Sequence, residues 1–221
     1  TDILNATRVV GESIKKGDVV IYESTVYPGV TEDICVKKLE EVSGLVVNRD
    51  FGIGYSPERI NCGDRIHTVE NIIKRVSAGD EATLELVSQV YETINNSGIY
   101  KASSIKVAEA AKVIENSQRD VNIAFINEMS KFTNKMNLNI YEIIDAMNTK
   151  WNALGFTPGL VGGHCIGVDS CYLLEKVNDI GESADVLQAS RKVNEGMVEY
   201  VVDSIVSNLI EKKKVVKNCK V

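Results

Sequence analysis

The stretch "IKVAEAAKVIENSQRDVNIAFINEMSKFTNKM", Ile105–Met136, contains no glycine and no proline. Ala, Ile, Val and Phe recur through it at helical spacing. A helix rising ~1.5 Å per residue would extend about 48 Å over this length. That is longer than a small domain is wide, so the helix either connects domains or pairs with a second copy of the chain. It also divides the sequence by character. Short apolar runs alternate with helical patterns before it, and only helical patterns follow it.

Working back toward the start, "DVVIYE" (18–23) is a buried strand after a Lys-Gly-Asp turn. Pro28-Gly29 suits the centre of a type II turn, and Thr31 is placed to cap a helix with Glu32 and Asp33 in its first turn. Phe51–Ser56, Ile72–Ala78 and Gly98–Lys101 are three further strands, with a helix from Asp80 to about Asn95. This alternation implies an α/β layer with a mostly parallel sheet. Beyond the long helix, Asn139 with Glu142 three residues on signals a second helix running to Met147. A loop, Thr149–Gly167, comes next, then a helix from about Ser183 to Lys212. The expected fold is therefore α/β: a partial Rossmann-type parallel sheet over 1–103, then an all-helical central domain over 104–213. The opening pattern (Leu4, Val9, Val10, Ile14) reads as the middle of a helix and "VVKNCKV" as a strand just starting, so a piece of a longer protein is expected, with 214–221 opening a further domain.

The bulk numbers exclude several classes. The 221 residues carry 25 basic and 31 acidic side chains, a net charge of −6, which does not suit a broad nucleic-acid surface. No apolar run approaches the ~20 residues of a bilayer span. Five scattered cysteines with no CxxC pair point to reduced thiols and a cytoplasmic location. With only His67 and His164, a histidine-rich metal site is not expected.

The chemistry concentrates in "VGGHCIGVDS", 161–170. A thiol attacks as its thiolate. Gly162 and Gly163 remove side-chain bulk beside Cys165, so a substrate carbon can approach, and Asp169 is placed to hold a water or a cation near the sulfur. The alternative is a small buried thiol in a glycine-rich turn. On the long helix, Lys112, Asn116 and Arg119 share one face at i, i+4 and i+7, with Asn127 extending the stripe. Lys112 is either solvated or aimed into a cleft, where it would stabilise an oxyanion. Glu58 and Thr25 sit at strand ends, where open α/β sheets bind ligands. Glu58 is a general base or a partner of Arg59; Thr25 orients a water or satisfies a turn. His164 is a flanking imidazole of second rank.

Together these stretches resemble the UDP-glucose/GDP-mannose dehydrogenase family: "YESTVYPGVTE", "SPERIN", "AKVIENSQRDVNIAFINE" and "GLVGGHCIGVD" occur in the family's order. "TKW…GFTPGLVGGHCIGVD" resembles most the branch acting on UDP-N-acetylhexosamines for bacterial capsule and related polysaccharides. The resemblance implies a cytoplasmic homodimer built on the long helix. It implies a two-step oxidation of the sugar C6 by two NAD⁺ through a cysteine thiohemiacetal and thioester. Cys165 matches the nucleophile, Asp169 the aspartate acting on water, Lys112 the oxyanion lysine and Asn116 its neighbour in the substrate site. Thr25 and Glu58 match the water-orienting threonine and the acid/base glutamate, with Ser24, Thr25 and Glu58 on the cofactor side. Lys150 is the nearest match to an arginine that crosses the dimer in relatives. No GxGxxG occurs, and "SCYL" stands at 170–173 where the family pattern has "PYYL". Two alternatives accompany this expectation: a GDP-mannose or UDP-N-acetylmannosamine 6-dehydrogenase, or, for the fragment alone, a non-catalytic dimerisation module.

Overall fold

A computed structural model describes residues 2–60, 63–163, 166–217 and 219. The backbone contacts resolve two compact units that divide inside the long helix, between Glu115 and Asn116.

The first unit is the α/β piece. In chain order it contains α1 (Asp2–Gly11), β1 (Val19–Tyr22), α2 (Val36–Ser43), β2 (Gly52–Tyr55), β3 (Lys74–Ala78), α3 (Glu81–Glu92), β4 (Ile99–Lys101) and the start of α4 (Ile105–Lys135). The four strands lie in the order β1-β2-β3-β4. β1 and β2 pair in parallel from Val19 opposite Gly52 to Tyr22 opposite Tyr55. β3 and β4 are also parallel, but β3 meets β2 antiparallel through two short registers, Gly54 with Ala78 and Tyr55 with Ser77. Two of the three pairings are thus parallel, as the alternating pattern implied.

Side-chain alternation on β2 explains its packing. A Cβ on Gly52 would come within 2.6 Å of the Thr83 hydroxyl, and one on Gly54 within 3.1 Å of Val87. Only glycine lets α3 lie this close. Ile53, facing the other way, enters the core with Leu39, Phe51, Tyr55, Ile105 and Ala108. Asp80 caps α3 by accepting the Thr83 N–H at 2.9 Å.

One local expectation, the capping of the helix after β1, needs correction here. Tyr27–Val30 is the expected turn, with Gly29 at φ 101°, ψ −9°, as the third residue of a type II turn requires. The helix after it, however, opens as a π-helical segment, Val30–Cys35, and Thr31 does not cap it. The buried Glu109 carboxylate of α4 instead accepts the Gly29 N–H at 2.6 Å and the Thr31 N–H at 2.9 Å. A carboxyl group, with two oxygens, satisfies two orphan amides where a hydroxyl satisfies one, so the tertiary cap wins. In α1, Val9 and Val10 face outward, and Thr7 and Gly11 are the buried positions. Val42 of α2 would stand 3.0 Å from a Cβ on Gly11, so the small residues, not the valines, form the packing seam.

The second unit is all helical. It comprises the rest of α4, α5 (Ile140–Asn148), α6 (Ile166–Asp179) and α7 (Asp185–Glu211), with side-chain hydrogen bonds from α4 to α6 and α7. Asn139 caps α5 by accepting the Tyr141 N–H at 3.0 Å, and its amide also reaches Glu142. α6 is an element the sequence pattern left as loop and connection. Gly167, near its start, masks the helical signal. The described residues of 214–219 form no strand. A strand needs a neighbour to pair with, and the apolar valines there do not supply one.

Candidate functional site

Cys165 and His164 lie outside the described residues. The other candidates fall into three groups, one at the strand ends, one on α4 and one around the start of α6.

At the carboxyl end of the parallel pair, the segments after β1 and β2 are tied side by side. The Ser56 N–H donates to Tyr22 O at 2.9 Å and the Glu58 N–H to Glu23 O at 3.4 Å. Ser24 is exposed, Thr25 half-buried and Glu58 exposed. Glu58 Oε1 accepts the backbone N–H of Arg59 and of Ile60 at 2.6 and 2.7 Å. Its relation to Arg59 is therefore through the main chain; the Arg59 guanidinium turns away to Ile73 O. The fully buried Lys74 lies beneath this edge, donating to Glu23 Oε1 at 3.2 Å and standing 4.8 Å from the Tyr91 ring centre. Tyr91 donates its hydroxyl to the same Glu23 oxygen at 2.6 Å. Burial pushes the Glu23 carboxyl up, and the Tyr91 hydrogen bond and the Lys74 charge more than offset it, so the group sits below its ordinary range. The segment after β1 is thus tied through Glu23 to β3 and α3, with Ser24 beside it exposed.

On α4, Lys112 is only 9% exposed, and no side chain among the described residues pairs with it. Lysine is seldom withdrawn from water unless something offsets the cost. The Lys112 side chain is therefore largely withdrawn from solvent. One turn on, Asn116 is 2% exposed.

Asn116 meets the start of α6. Its Nδ2 donates to Asp169 Oδ2 at 2.5 Å, and its Oδ1 accepts from Arg119 at 3.2 Å. Asp169 is equally buried, in the first turn of α6, where the helix dipole favours an anion. The structure thus joins two sequence candidates 53 positions apart. Gly163 has φ +83°, and no atom lies within 4 Å of a Cβ at either Gly162 or Gly163. The backbone conformation therefore requires glycine at 163; crowding requires it at neither. Lys150 is exposed at the far end of the loop.

Asn127, first noted as an extension of the α4 stripe, grips the loop at Gly159, and Asn194, Asp120 and Arg191 stand behind it. None of these four was singled out for its role from the sequence. The only trace they leave there is spacing: Asp120 and Asn127 two turns apart on α4, and Arg191 and Asn194 one turn apart on α7.

Comparison with known proteins places these groups in a lineage. Residues 1–95 match the model of the UDP-glucose/GDP-mannose dehydrogenase family, NAD binding domain, and residues 106–196 that of the same family's central domain. Protein CapL of Staphylococcus aureus is 51% identical over 95% of this chain, and UDP-N-acetyl-D-glucosamine 6-dehydrogenase of Pseudomonas aeruginosa is 51% identical over 96%. The alignments take in 49% and 50% of those two proteins, so the chain spans about half the length of the curated relatives it matches. Among solved structures, the UDP-D-ManNAc dehydrogenase of Pyrococcus horikoshii superposes with a TM-score of 0.88 at 30% identity, over 97% of this chain and 50% of that one.

Proposed function

Because the chain belongs to the UDP-glucose/GDP-mannose dehydrogenase family, we propose that the whole protein is an NAD-dependent nucleotide-sugar 6-dehydrogenase. Its substrate is a UDP-N-acetylhexosamine, in keeping with the name of the Pseudomonas aeruginosa relative. Its C6 alcohol is oxidised to the uronic acid in two steps. In the first, Glu58 and Thr25 manage the alcohol proton as hydride leaves C6 and the aldehyde forms. The Cys165 thiolate then adds to the aldehyde carbon, giving a thiohemiacetal whose oxyanion faces the Lys112 ammonium. A second hydride departure gives the thioester. Water, oriented by Asp169, adds to it; the carbon–sulfur bond breaks, the thiolate returns and the acid is released. Covalent capture keeps the aldehyde from escaping between the steps. Gly162 and Gly163 give the substrate access beside Cys165, and with Asn116 and Lys150 they serve substrate binding.

The observation that carries this reading is the line of buried polar groups on α4: Lys112 and then Asn116, the latter bonded to Asp169 four residues after Cys165. A chain that needed only a hydrophobic seam would not bury them.

The cofactor's chemistry, when it is bound, is to accept a hydride at each oxidation. Ser24, Thr25 and Glu58 suit its nicotinamide-riboside half, cationic in the oxidised cofactor, since they offer hydroxyl and carboxylate groups at the open end of a parallel strand pair. They do not suit its pyrophosphate. The amides at the helix start after β1 are already taken by the Glu109 carboxylate, which would repel a phosphate.

The same reading makes the protein a cytoplasmic homodimer joined through α4, serving capsule or related polysaccharide synthesis. No helix among the described residues is long and apolar enough to cross a membrane. Val107, Ile114, Phe125 and Phe132 of α4 are roughly half exposed, which supports a partner along the helix.

A panel of UDP-sugars and GDP-mannose given to the whole protein, with NADH release and product analysis as readouts, tests this. Two NADH per uronic acid from a UDP-N-acetylhexosamine is expected, and Cys165→Ser stalls before the acid forms. A wild-type rate in that variant would sink the covalent route.

A further inference from the structure

Residues 154–163 lead to Cys165 through four glycines and one proline, with no helix or strand. Among the described residues they make two hydrogen bonds, and both go to one side chain. Asn127 Nδ2 donates to Gly159 O at 2.9 Å, and the Gly159 N–H donates to Asn127 Oδ1 at 2.9 Å. The carboxamide thus pairs with both backbone groups of one residue, as a neighbouring strand would.

Asn127 is fully buried, and its orientation is not free. Its second Nδ2 hydrogen goes to Asn194 Oδ1 at 2.8 Å. The Asn194 Nδ2 donates in turn to Asp120 O at 3.0 Å and Asp120 Oδ1 at 2.7 Å. Asp120, also fully buried, accepts from Arg191 Nη1 at 3.1 Å. A fixed charge therefore stands at one end of the chain. The guanidinium orients the carboxylate, the carboxylate orients the Asn194 amide, and Asn194 decides which atom of Asn127 faces which atom of Gly159. Reversing any member would set donor against donor or acceptor against acceptor in a dry interior.

We propose that Asn127 is a positioning residue for the reaction, holding the loop that presents Cys165 by a two-point clasp on Gly159 that the Arg191–Asp120–Asn194 chain orients. This rests on Cys165 being the nucleophile. Cysteine chemistry requires the sulfur within bonding reach of one substrate carbon, and a glycine-rich segment with no other hydrogen-bonded tie among the described residues supplies no such constraint by itself.

The clasp is first tested in the unaltered protein by amide hydrogen exchange. The Gly159 N–H should exchange about 100-fold more slowly than those of Leu160, Gly162 and Gly163. Equal rates would overturn the proposal without any variant having to fold. Asn127→Asp keeps the shape but sets a carboxylate against Gly159 O. It should lower kcat by about tenfold or more with KM little changed, and slow iodoacetamide alkylation of Cys165 comparably. Activity should recover in part as pH falls toward the raised pKa of that buried carboxyl, a rescue that general destabilisation would not give. Gly159→Ala retains both backbone groups and meets no atom within 4 Å, so it should behave as wild type. Unchanged kcat and alkylation in Asn127→Asp would overturn the proposal. Full activity in Cys165→Ser would instead remove the reading beneath it while Gly159 stayed protected, so the two failures are told apart.

Discussion

Asn116 Nδ2 donates to Asp169 Oδ2 at 2.5 Å, with both side chains 2% exposed. The bond joins the long helix to the first turn of α6, and it sets a neutral donor against a buried carboxylate. Asn116→Asp turns that donor into a second acceptor. Two carboxylates at this distance cannot both ionise in a dry site, so one pKa rises steeply. A group with a raised folded pKa stabilises the fold below its unfolded pKa and loses that contribution as pH rises through the folded value. The variant should therefore be about 3 kcal/mol less stable than wild type at pH 7, and should recover on acidification. Urea unfolding at neutral pH and at mildly acidic pH measures both. A loss independent of pH would mean the two carboxylates do not face each other.

Lys112 offers a cleaner separation of stability from chemistry. It is buried without a partner among the described residues, so the fold gives up solvation to keep a charge there. Lys112→Met is close in shape and carries no charge. Its melting temperature should equal or exceed that of wild type, whereas turnover of the whole protein should fall by about two to three orders of magnitude. Retained turnover would show that the ammonium stabilises no oxyanion.

How far the sequence carried these points depended on whether the governing interaction was local. The α4 run, the Asn139 cap and the Pro28-Gly29 turn are decided within a few residues by propensity and backbone geometry, and they were legible. So was the placement of Lys112 and Asn116 on one helical face. Thr31 was misassigned because its competitor for the helix-start amides, Glu109, stands 78 positions away and is recognisable only once α4 packs against that loop. α6 was missed because Gly167 weakens a short helical signal. The Asn127 clasp was unreadable for a similar reason: an asparagine on a polar stripe looks the same whether it meets water or a peptide unit. The shared face of Lys112 and Asn116 was legible; the burial of both, and the bond to Asp169, required the fold.

Glu109 gives the last prediction, and its sign follows from where the carboxyl sits. Burial pushes its pKa up; the N–H groups of Gly29 and Thr31 pull it back only in part, so it stays above the ordinary glutamate range. The folded protein therefore holds this proton more tightly than the unfolded chain. The contribution is fully present below the unfolded pKa and is lost as pH rises through the folded one. Glu109→Gln does not titrate, so that slope disappears from its stability curve. The variant also presents an NH₂ to one of two backbone donors, leaving that donor unmet at a cost of about 1–3 kcal/mol. The stability advantage of wild type over Glu109→Gln should thus be largest at the acidic end of the window and shrink as pH rises. Denaturant unfolding of both proteins at several pH values from the ordinary glutamate range upward measures it. An advantage that widened with pH would mean that the two amides hold Glu109 as the anion more strongly than burial opposes it, and that the turn after β1 is built around a fixed charge.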